Sequence, residues 1–145
     1  MQREIKKTFF FSHPLEMVWD YLTKPELLSQ WLMQNDILAV VGHKFTFRAK
    51  PAVEIEFDGI VYCEILEVMP MKRLSYSWKC NPTDSGHKID TVVQWTLVSK
   101  DNGTELNLLQ TGFKEKEYEA FFMAMKNGWP KQVEKLLQNL NSTVK

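Results

Sequence analysis

Between residues 36 and 111 apolar side chains recur at every second position, and turn residues interrupt the alternation at short intervals. The apolar positions include Phe45 and Phe47, then Leu74, Tyr76 and Trp78, then Val93, Trp95 and Leu97, then Leu106 and Leu108. The turn residues are Gly42-His43, Asp58-Gly59, Met69-Pro70, Asn81-Pro82, Ser85-Gly86 and Asp101-Asn102-Gly103. Alternation of this kind gives each strand one apolar face. It predicts an antiparallel meander whose apolar side must be covered by another element.

Helical periodicity precedes the meander. Residues 3–11 predict a strand, and after it Ser12 is expected to cap a helix that has Pro14 in its first turn. The segment from Thr23 to Glu26 is expected to end this helix and to begin a second one that runs through Trp31.

A long amphipathic helix follows the meander, because apolar residues return to a spacing of three and four from Tyr118 to Leu140. Gly128 and Pro130 lie inside it, where both residue types weaken a helix. A kink or break is therefore expected there, with Gly128 allowing a close approach to the sheet and Trp129 inside.

The order of these elements predicts an α+β fold in a single domain, residues 1–145. A curved antiparallel sheet of about six or seven strands would grip the long C-terminal helix, with two short helices after the first strand. Only the last helix is long enough to cover the apolar face. The space between the sheet and residues 117–141 is then a natural site for an apolar ligand.

Charge and hydropathy exclude several classes of partner. Eighteen basic and eighteen acidic residues give a net charge of zero, so nucleic acid is not an expected partner. The longest aliphatic stretch, from Ile37 to Val41, is far too short to span a membrane. No export signal is visible, and we expect a cytoplasmic monomer or weak dimer. Cys63 and Cys80 do not form a metal-binding or redox motif, and we expect both to be reduced.

No catalytic, metal-binding or cofactor-binding motif is present in the sequence. His13, His43 and His87 fall at a helix start, a hairpin turn and a loop, where we expect exposed side chains. Phosphate-loop, dinucleotide, zinc-hydrolase and serine-hydrolase motifs do not occur. No cofactor is therefore expected.

Seven short segments, in order, resemble the heat-shock-protein-90 ATPase activator homologue family. They are Pro14 to Trp31, Val41-Gly42-His43-Lys44-Phe45, Phe57-Asp58-Gly59, Arg73-Leu74-Ser75-Tyr76-Ser77-Trp78, Gly103-Thr104-Glu105-Leu106, Gln110-Thr111-Gly112-Phe113 and Gly128-Trp129. The resemblance implies the START-like (SRPBCC) superfamily with its helix-grip fold. That fold serves ligand carriers, cyclases and chaperone-binding modules alike. Gln110 stands where the family commonly carries a histidine.

Eight residues are expected to line a ligand site between the sheet and the last helix: Phe45, Phe47, Tyr62, Trp78, Trp95, Gln110, Met125 and Trp129. For any single ring, the general abundance of large rings in cores favours a core residue over a ligand contact. Tyr76 is a further polar candidate, whereas Glu64 is expected to point outward.

Three hypotheses of function follow. The first is a binding module for a small hydrophobic or aromatic ligand, lipid-like or polyketide-like. The second is an interaction module that stimulates an ATPase chaperone, as the resemblance implies. The third is a cyclase or dehydratase that uses the same cavity, with Gln110 and Tyr62 as its polar groups.

Overall fold

A computed structural model describes residues 3–49, 59–80, 89–113 and 119–143. In chain order its elements are β1 (Arg3–Phe11), α1 (Leu15–Thr23), α2 (Pro25–Leu28), β2 (Gln34–Asn35), β3 (Lys44–Arg48), β4 (Ile60–Met69), β5 (Arg73–Cys80), β6 (Ile89–Lys100), β7 (Gly103–Phe113) and α3 (Glu119–Thr143). The predicted turns at Asn81-Pro82 and Ser85-Gly86 lie outside the described residues, as do Asp58 and His87.

The strands form one curved antiparallel sheet in the order β1-β7-β6-β5-β4-β3-β2. Each strand from β2 to β7 pairs with its neighbour in the sequence, and β1 pairs with β7 at the far edge. This arrangement, with short helices early and one long helix at the end, confirms the predicted α+β helix-grip fold.

The turn between β6 and β7 shows how local sequence sets the register. Asp101 and Asn102 have φ of 50° and 61°, which is the backbone of a two-residue hairpin turn. Lys100 therefore pairs directly with Gly103. A Cβ at Gly103 would overlap the carbonyl oxygen of Phe11, so only glycine fits there.

The helical pair after β1 differs in detail from the sequence prediction. Ser12 does not cap α1, because the helix begins only at Leu15 and Pro14 itself occupies the N-cap position without a side-chain bond. The Pro14 carbonyl accepts from the backbone N–H groups of Met17 and Val18. The second helix ends at Leu28 and continues to Trp31 only as hydrogen-bonded turns.

The long helix α3 is continuous from Glu119 to Thr143, so the predicted break is wrong. Pro130 and Lys126 are both exposed, and water can therefore serve the Lys126 carbonyl that has lost its helical donor. Gly128 was expected to allow the helix to approach the sheet closely. This expectation is also wrong, since a Cβ built at Gly128 meets no atom within 4 Å. Gly128 borders open space rather than the sheet.

His13 is buried, contrary to the expectation of an exposed turn residue. Its Nε2 donates to Oδ1 of Asn141 (2.9 Å), and its carbonyl accepts from Oγ1 of Thr104 (2.8 Å). The residue ties the corner before α1 to the last turn of α3, which sequence spacing cannot reveal. His43 is half-buried, and its Nε2 contacts the carbonyl of Asp36.

Cys63 and Cys80 are both buried, and no disulfide joins them. Burial is the main cause that raises the pKa of the Cys63 thiol far above its ordinary value, so the group stays protonated in the folded protein. No helix within the described ranges is long and apolar enough to cross a membrane.

Candidate functional site

A continuous chain of aromatic rings fills the middle of the space between the sheet and α3. Phe45 lies 5.4 Å from Phe47 and Phe47 lies 5.3 Å from Trp78, measured between ring centroids. Trp78 lies 5.5 Å from Trp129, which lies 5.4 Å from Trp95. All five rings were predicted to converge here, and they do. Their tilted and edge contacts are those of a packed aromatic core, so this level holds side chains rather than open room.

Buried hydrogen bonds occupy the polar groups within this core. Gln110 is fully buried; its Nε2 donates to Oγ1 of Thr91 (3.0 Å), and its Oε1 accepts from Nε1 of Trp129 (2.9 Å). Trp95 Nε1 donates to the hydroxyl of Tyr76 (2.9 Å). Burial raises the pKa of Tyr76 well above its usual range, so the hydroxyl is neutral. Gln110 and Tyr76 therefore join parts of the protein and do not face a ligand.

Tyr62 lies on the other face of the sheet and is 41% exposed. In β4 the side chains of Val61 and Cys63 face the interior, so the residue between them must face outward. Glu64 shares this outer face, as predicted. The expectation that Tyr62 converges with the other seven residues is wrong, because the strand's alternation has the opposite phase at that position.

A cavity of about 310 Å³ remains beside the ring chain, where α3 passes the end of β5. Its described lining residues are Leu32, Met33, Ala49, Trp78, Ala124, Met125, Gly128, Trp129 and Gln132. The buried rings of Trp78 and Trp129 form its floor. The other lining residues are half-buried or exposed, so they form a rim that opens to solvent.

Only Trp78, Met125 and Trp129 of the eight predicted residues line this cavity. Helical spacing could have added Gly128 and Gln132, which follow Met125 by three and seven positions on the same face of α3. Ala124 also lies on α3. The other three wall residues come from the segment after α2 and from the position after β3; they are Leu32, Met33 and Ala49. No periodic signal marks them, because only the folded chain brings them beside α3.

Two polar atoms that belong to residues lining this cavity have no hydrogen-bond partner among the described residues. They are Nε1 of Trp78 and Oε1 of Gln132, and both atoms are buried. Three other indoles are satisfied: Trp31 Nε1 donates to the carbonyl of Tyr21, and those of Trp95 and Trp129 are bonded as described above. A buried polar atom without a partner loses its hydration without compensation, so each of these two atoms costs folding free energy.

In the part of the chain that the structure describes, no three His, Cys, Asp or Glu side chains lie together as a metal site requires. The cavity walls described above are almost entirely apolar. Their chemistry is suited to binding a neutral organic molecule.

The sheet, the covering helix and the apolar cavity between them define a helix-grip domain of the START-like type. A family model described as Activator of Hsp90 ATPase homolog 1-like protein matches residues 12–141, and the chain belongs to this family. No curated protein matches the chain significantly.

Solved structures agree with this assignment. Protein MLL2253 from Mesorhizobium loti is 37% identical with a TM-score of 0.88, and the match covers 99% of this chain and 100% of that one. DynU16, a protein in the dynemicin biosynthetic locus, is 20% identical with a TM-score of 0.73, over 97% of this chain and 48% of that one. The Aha1 dimer from Colwellia psychrerythraea is 17% identical with a TM-score of 0.74, over 92% of each chain. The last two likenesses show the fold.

Proposed function

We propose that this protein is a single-domain binding module for a small hydrophobic or aromatic ligand, lipid-like or polyketide-like, held in the cavity between β5 and α3. The observation that carries the proposal is the cavity of about 310 Å³, whose floor is Trp78 and Trp129 and whose rim is mostly apolar. This volume lies at the lower end of the range for small-molecule pockets. DynU16, a protein in the dynemicin biosynthetic locus, has the same fold, and this likeness supports the proposal that the ligand is a small molecule. A cytoplasmic location, as predicted from the sequence, belongs to the same proposal.

The chemistry of the walls favours binding over catalysis. The cyclase alternative relied on Gln110 and Tyr62, but the first is bonded within the core and the second lies on the outer face. Neither can reach a molecule in the cavity. The described cavity walls therefore lack the two polar groups that the cyclase alternative needs.

Titration with a panel of fatty acids, sterols and flavonoid-like compounds tests the proposal. Binding should shift the NMR signals of Trp78, Trp129 and the Met125 methyl group. Gly128→Leu should abolish these shifts without unfolding the protein, because the new side chain enters open space on the cavity side. Asn127→Leu is the matched control, since Asn127 is an exposed neighbour that does not line the cavity. A panel that shifts none of these signals would refute the proposal.

A second candidate function is an interaction module for an ATPase chaperone, which the family assignment favours. It predicts that the purified protein changes the ATP turnover of a heat-shock-protein-90 chaperone or co-purifies with it. An unchanged rate at a saturating concentration of the domain would contradict this candidate. The Gly128→Leu variant separates the two functions, because filling the cavity should not alter an effect that depends on the outer surface.

A further inference from the structure

A second cavity, of about 420 Å³, lies where the turn between β4 and β5 faces the end of β6 and the start of α1. Residues 71–73 and 96–99 line it together with Leu15 and Met69, and we call it the turn groove. It shares no described lining residue with the cavity beside α3. The turn groove is therefore a separate site on the molecule.

Backbone hydrogen bonds hold the turn groove in shape. The backbone N–H of Lys72 donates to the carbonyl of Met69 (2.8 Å), and that of Leu97 donates to the carbonyl of Lys72 (2.8 Å). The second bond ties the turn directly to β6. Between these bonds Met71 has φ of 67°, a left-handed backbone that few residues other than glycine adopt. The groove is thus formed before any molecule binds, as in most small-molecule sites.

Five apolar side chains contribute most of the surface of the turn groove. Leu97 is buried, and Leu15 and Met71 are half-buried. Met69 and Val98 are 42% and 43% exposed, so the apolar surface reaches solvent. Methionine side chains are flexible and adapt to ligands of different shape. A surface of this kind is suited to an unbranched hydrocarbon chain.

The charged side chains that line the turn groove are all cations. They are Lys72 and Arg73, and no acidic side chain is among the described lining residues. Nη1 of Arg73 lies 3.6 Å from Oε2 of Glu67, with the two side chains 41% and 40% exposed. An exposed pair at this distance contributes little to stability, so the guanidinium can exchange Glu67 for another carboxylate. Its parallel N–H groups match both oxygens of a carboxylate.

The size of the turn groove favours a small molecule over a protein partner. A stable protein interface uses about 20–30 residues on each side, whereas nine described residues line this groove. Its volume falls within the range of small-molecule pockets. The ligand must combine a hydrocarbon part with negative charge, because the walls are apolar and the lining charge is positive.

We propose that the turn groove is a second binding site, and that its ligand is an amphipathic carboxylate of the fatty-acid type. The chain packs against Met69, Met71 and Val98, and the carboxylate pairs with Lys72 and Arg73. This site does not depend on the proposed function, because it lies outside the cavity beside α3.

Three probes with the same eight-carbon chain test the inference on the full chain: octanoate, octan-1-ol and octyltrimethylammonium. Octanoate should shift the NMR methyl signals of Met69 and Met71 saturably. It should bind about tenfold more tightly than octan-1-ol, since only the carboxylate pairs with the cations. The cationic probe should bind least. Added salt should weaken octanoate binding and leave octan-1-ol binding unchanged. The Met125 methyl signal reports separately on the cavity beside α3.

Variants separate the contribution of charge from that of the chain. Lys72→Gln should weaken octanoate binding several-fold without changing octan-1-ol binding. Lys79→Gln is the matched control, because Lys79 is also exposed but does not line the groove. Arg73→Lys keeps the charge and should lose less affinity for octanoate than Arg73→Gln. Met69→Gln should weaken octanoate and octan-1-ol equally.

Each outcome supports or overturns the inference. Octanoate that shifts only the Met125 methyl signal shows that the turn groove is not a site, while the function proposed for the cavity stands. Equal affinities for octanoate and octan-1-ol, or an unchanged affinity in Lys72→Gln, would contradict recognition of the carboxylate. Should the Arg73 variants fail to fold, the exposed Lys72→Gln change and the comparison of probes on the wild-type protein still decide.

Discussion

Trp129 Nε1 on α3 donates to Oε1 of Gln110 on β7 across 2.9 Å, deep inside the protein. The same Gln110 donates to Thr91 on β6, and Thr91 in turn donates to the carbonyl of Trp78 on β5. This relay joins the covering helix to three adjacent strands. It also positions Trp129 and Trp78, the two rings that form the cavity floor.

Loss of the Gln110 amide should destabilise the protein. Gln110→Leu leaves Trp129 Nε1 without its acceptor, and an unpartnered buried group costs about 1–3 kcal/mol. We expect the free energy of unfolding in urea to fall by about 2 kcal/mol, and the Trp129 indole proton signal to move. Gln94→Leu, at a half-buried position on β6, is the control and should cost much less. Equal losses in both variants would contradict the role of the relay.

Substitution of glycine by alanine should raise the stability of the protein at one position and lower it at another. Gly128→Ala adds a methyl group in open space within a helix, so stability should rise by up to about 1 kcal/mol through helix propensity. Gly103→Ala places the methyl group on the Phe11 carbonyl and should destabilise the β6–β7 hairpin. Thermal denaturation of the two variants measures both effects. Stabilisation by Gly103→Ala would show that the turn is more adaptable than its geometry indicates.

Stability should fall at alkaline pH because the folded protein keeps two buried acids protonated. The pKa values of Tyr76 and Cys63 are raised from ordinary values of 10.0 and 9.0, mainly by burial. The unfolded chain therefore ionises first, so the stabilisation is complete below about pH 9 and is lost as pH rises above it. Each group contributes a slope approaching about 1.4 kcal/mol per pH unit.

Urea denaturation between pH 8 and pH 11 measures this slope. Above pH 10, where the tyrosine of the unfolded chain ionises, Tyr76→Phe should make the slope shallower by up to about 1.4 kcal/mol per pH unit. Tyr62→Phe makes the same chemical change at a position that is 41% exposed, and it is the matched comparison. An unaltered slope in Tyr76→Phe would contradict the assignment.

The contact between His13 and Asn141 should hold the last turn of α3 against the body of the protein. Asn141→Ala removes the acceptor for His13 Nε2, which is 2.9 Å away in the folded chain. We expect a loss of about 1 kcal/mol and faster amide hydrogen exchange in residues 137–143. Gln138→Ala, an exposed change in the same part of α3, should leave exchange nearly unaltered. Exchange that is equally fast in both variants would show that the contact is not needed.

The sequence predicted the order of the elements because hydrophobic period is a local property of each segment. Alternation at Phe45 and Phe47 and at Tyr76 and Trp78 indicates strands without any knowledge of their neighbours. The pattern does not determine which face of β4 is covered, and the prediction that Tyr62 faces the interior is wrong. In β4 the apolar residues occur on both faces, so the pattern alone does not show which side is covered.

The packing of the interior is harder to predict from the sequence than the secondary-structure elements are. The aromatic residues were predicted to converge, but whether they enclose space or fill it depends on how closely α3 approaches the sheet. Rings fill the centre, and the cavity lies to one side, where Gly128 and the residues after α2 meet. His13 is a similar case, since its partner Asn141 is distant in the sequence and no local pattern links them.

Residue order alone therefore fixed the strands, the helices, their succession and the family to which the chain belongs. Those properties follow from period, turn chemistry and short motifs, each read within a few residues. Packing between distant segments decided the position of the cavity and the burial of His13. It also decided that Trp129 Nε1 has a hydrogen-bond partner whereas Trp78 Nε1 has none among the described residues. Such features depend on which side chains meet across the core, and close packing makes that outcome a property of the whole fold.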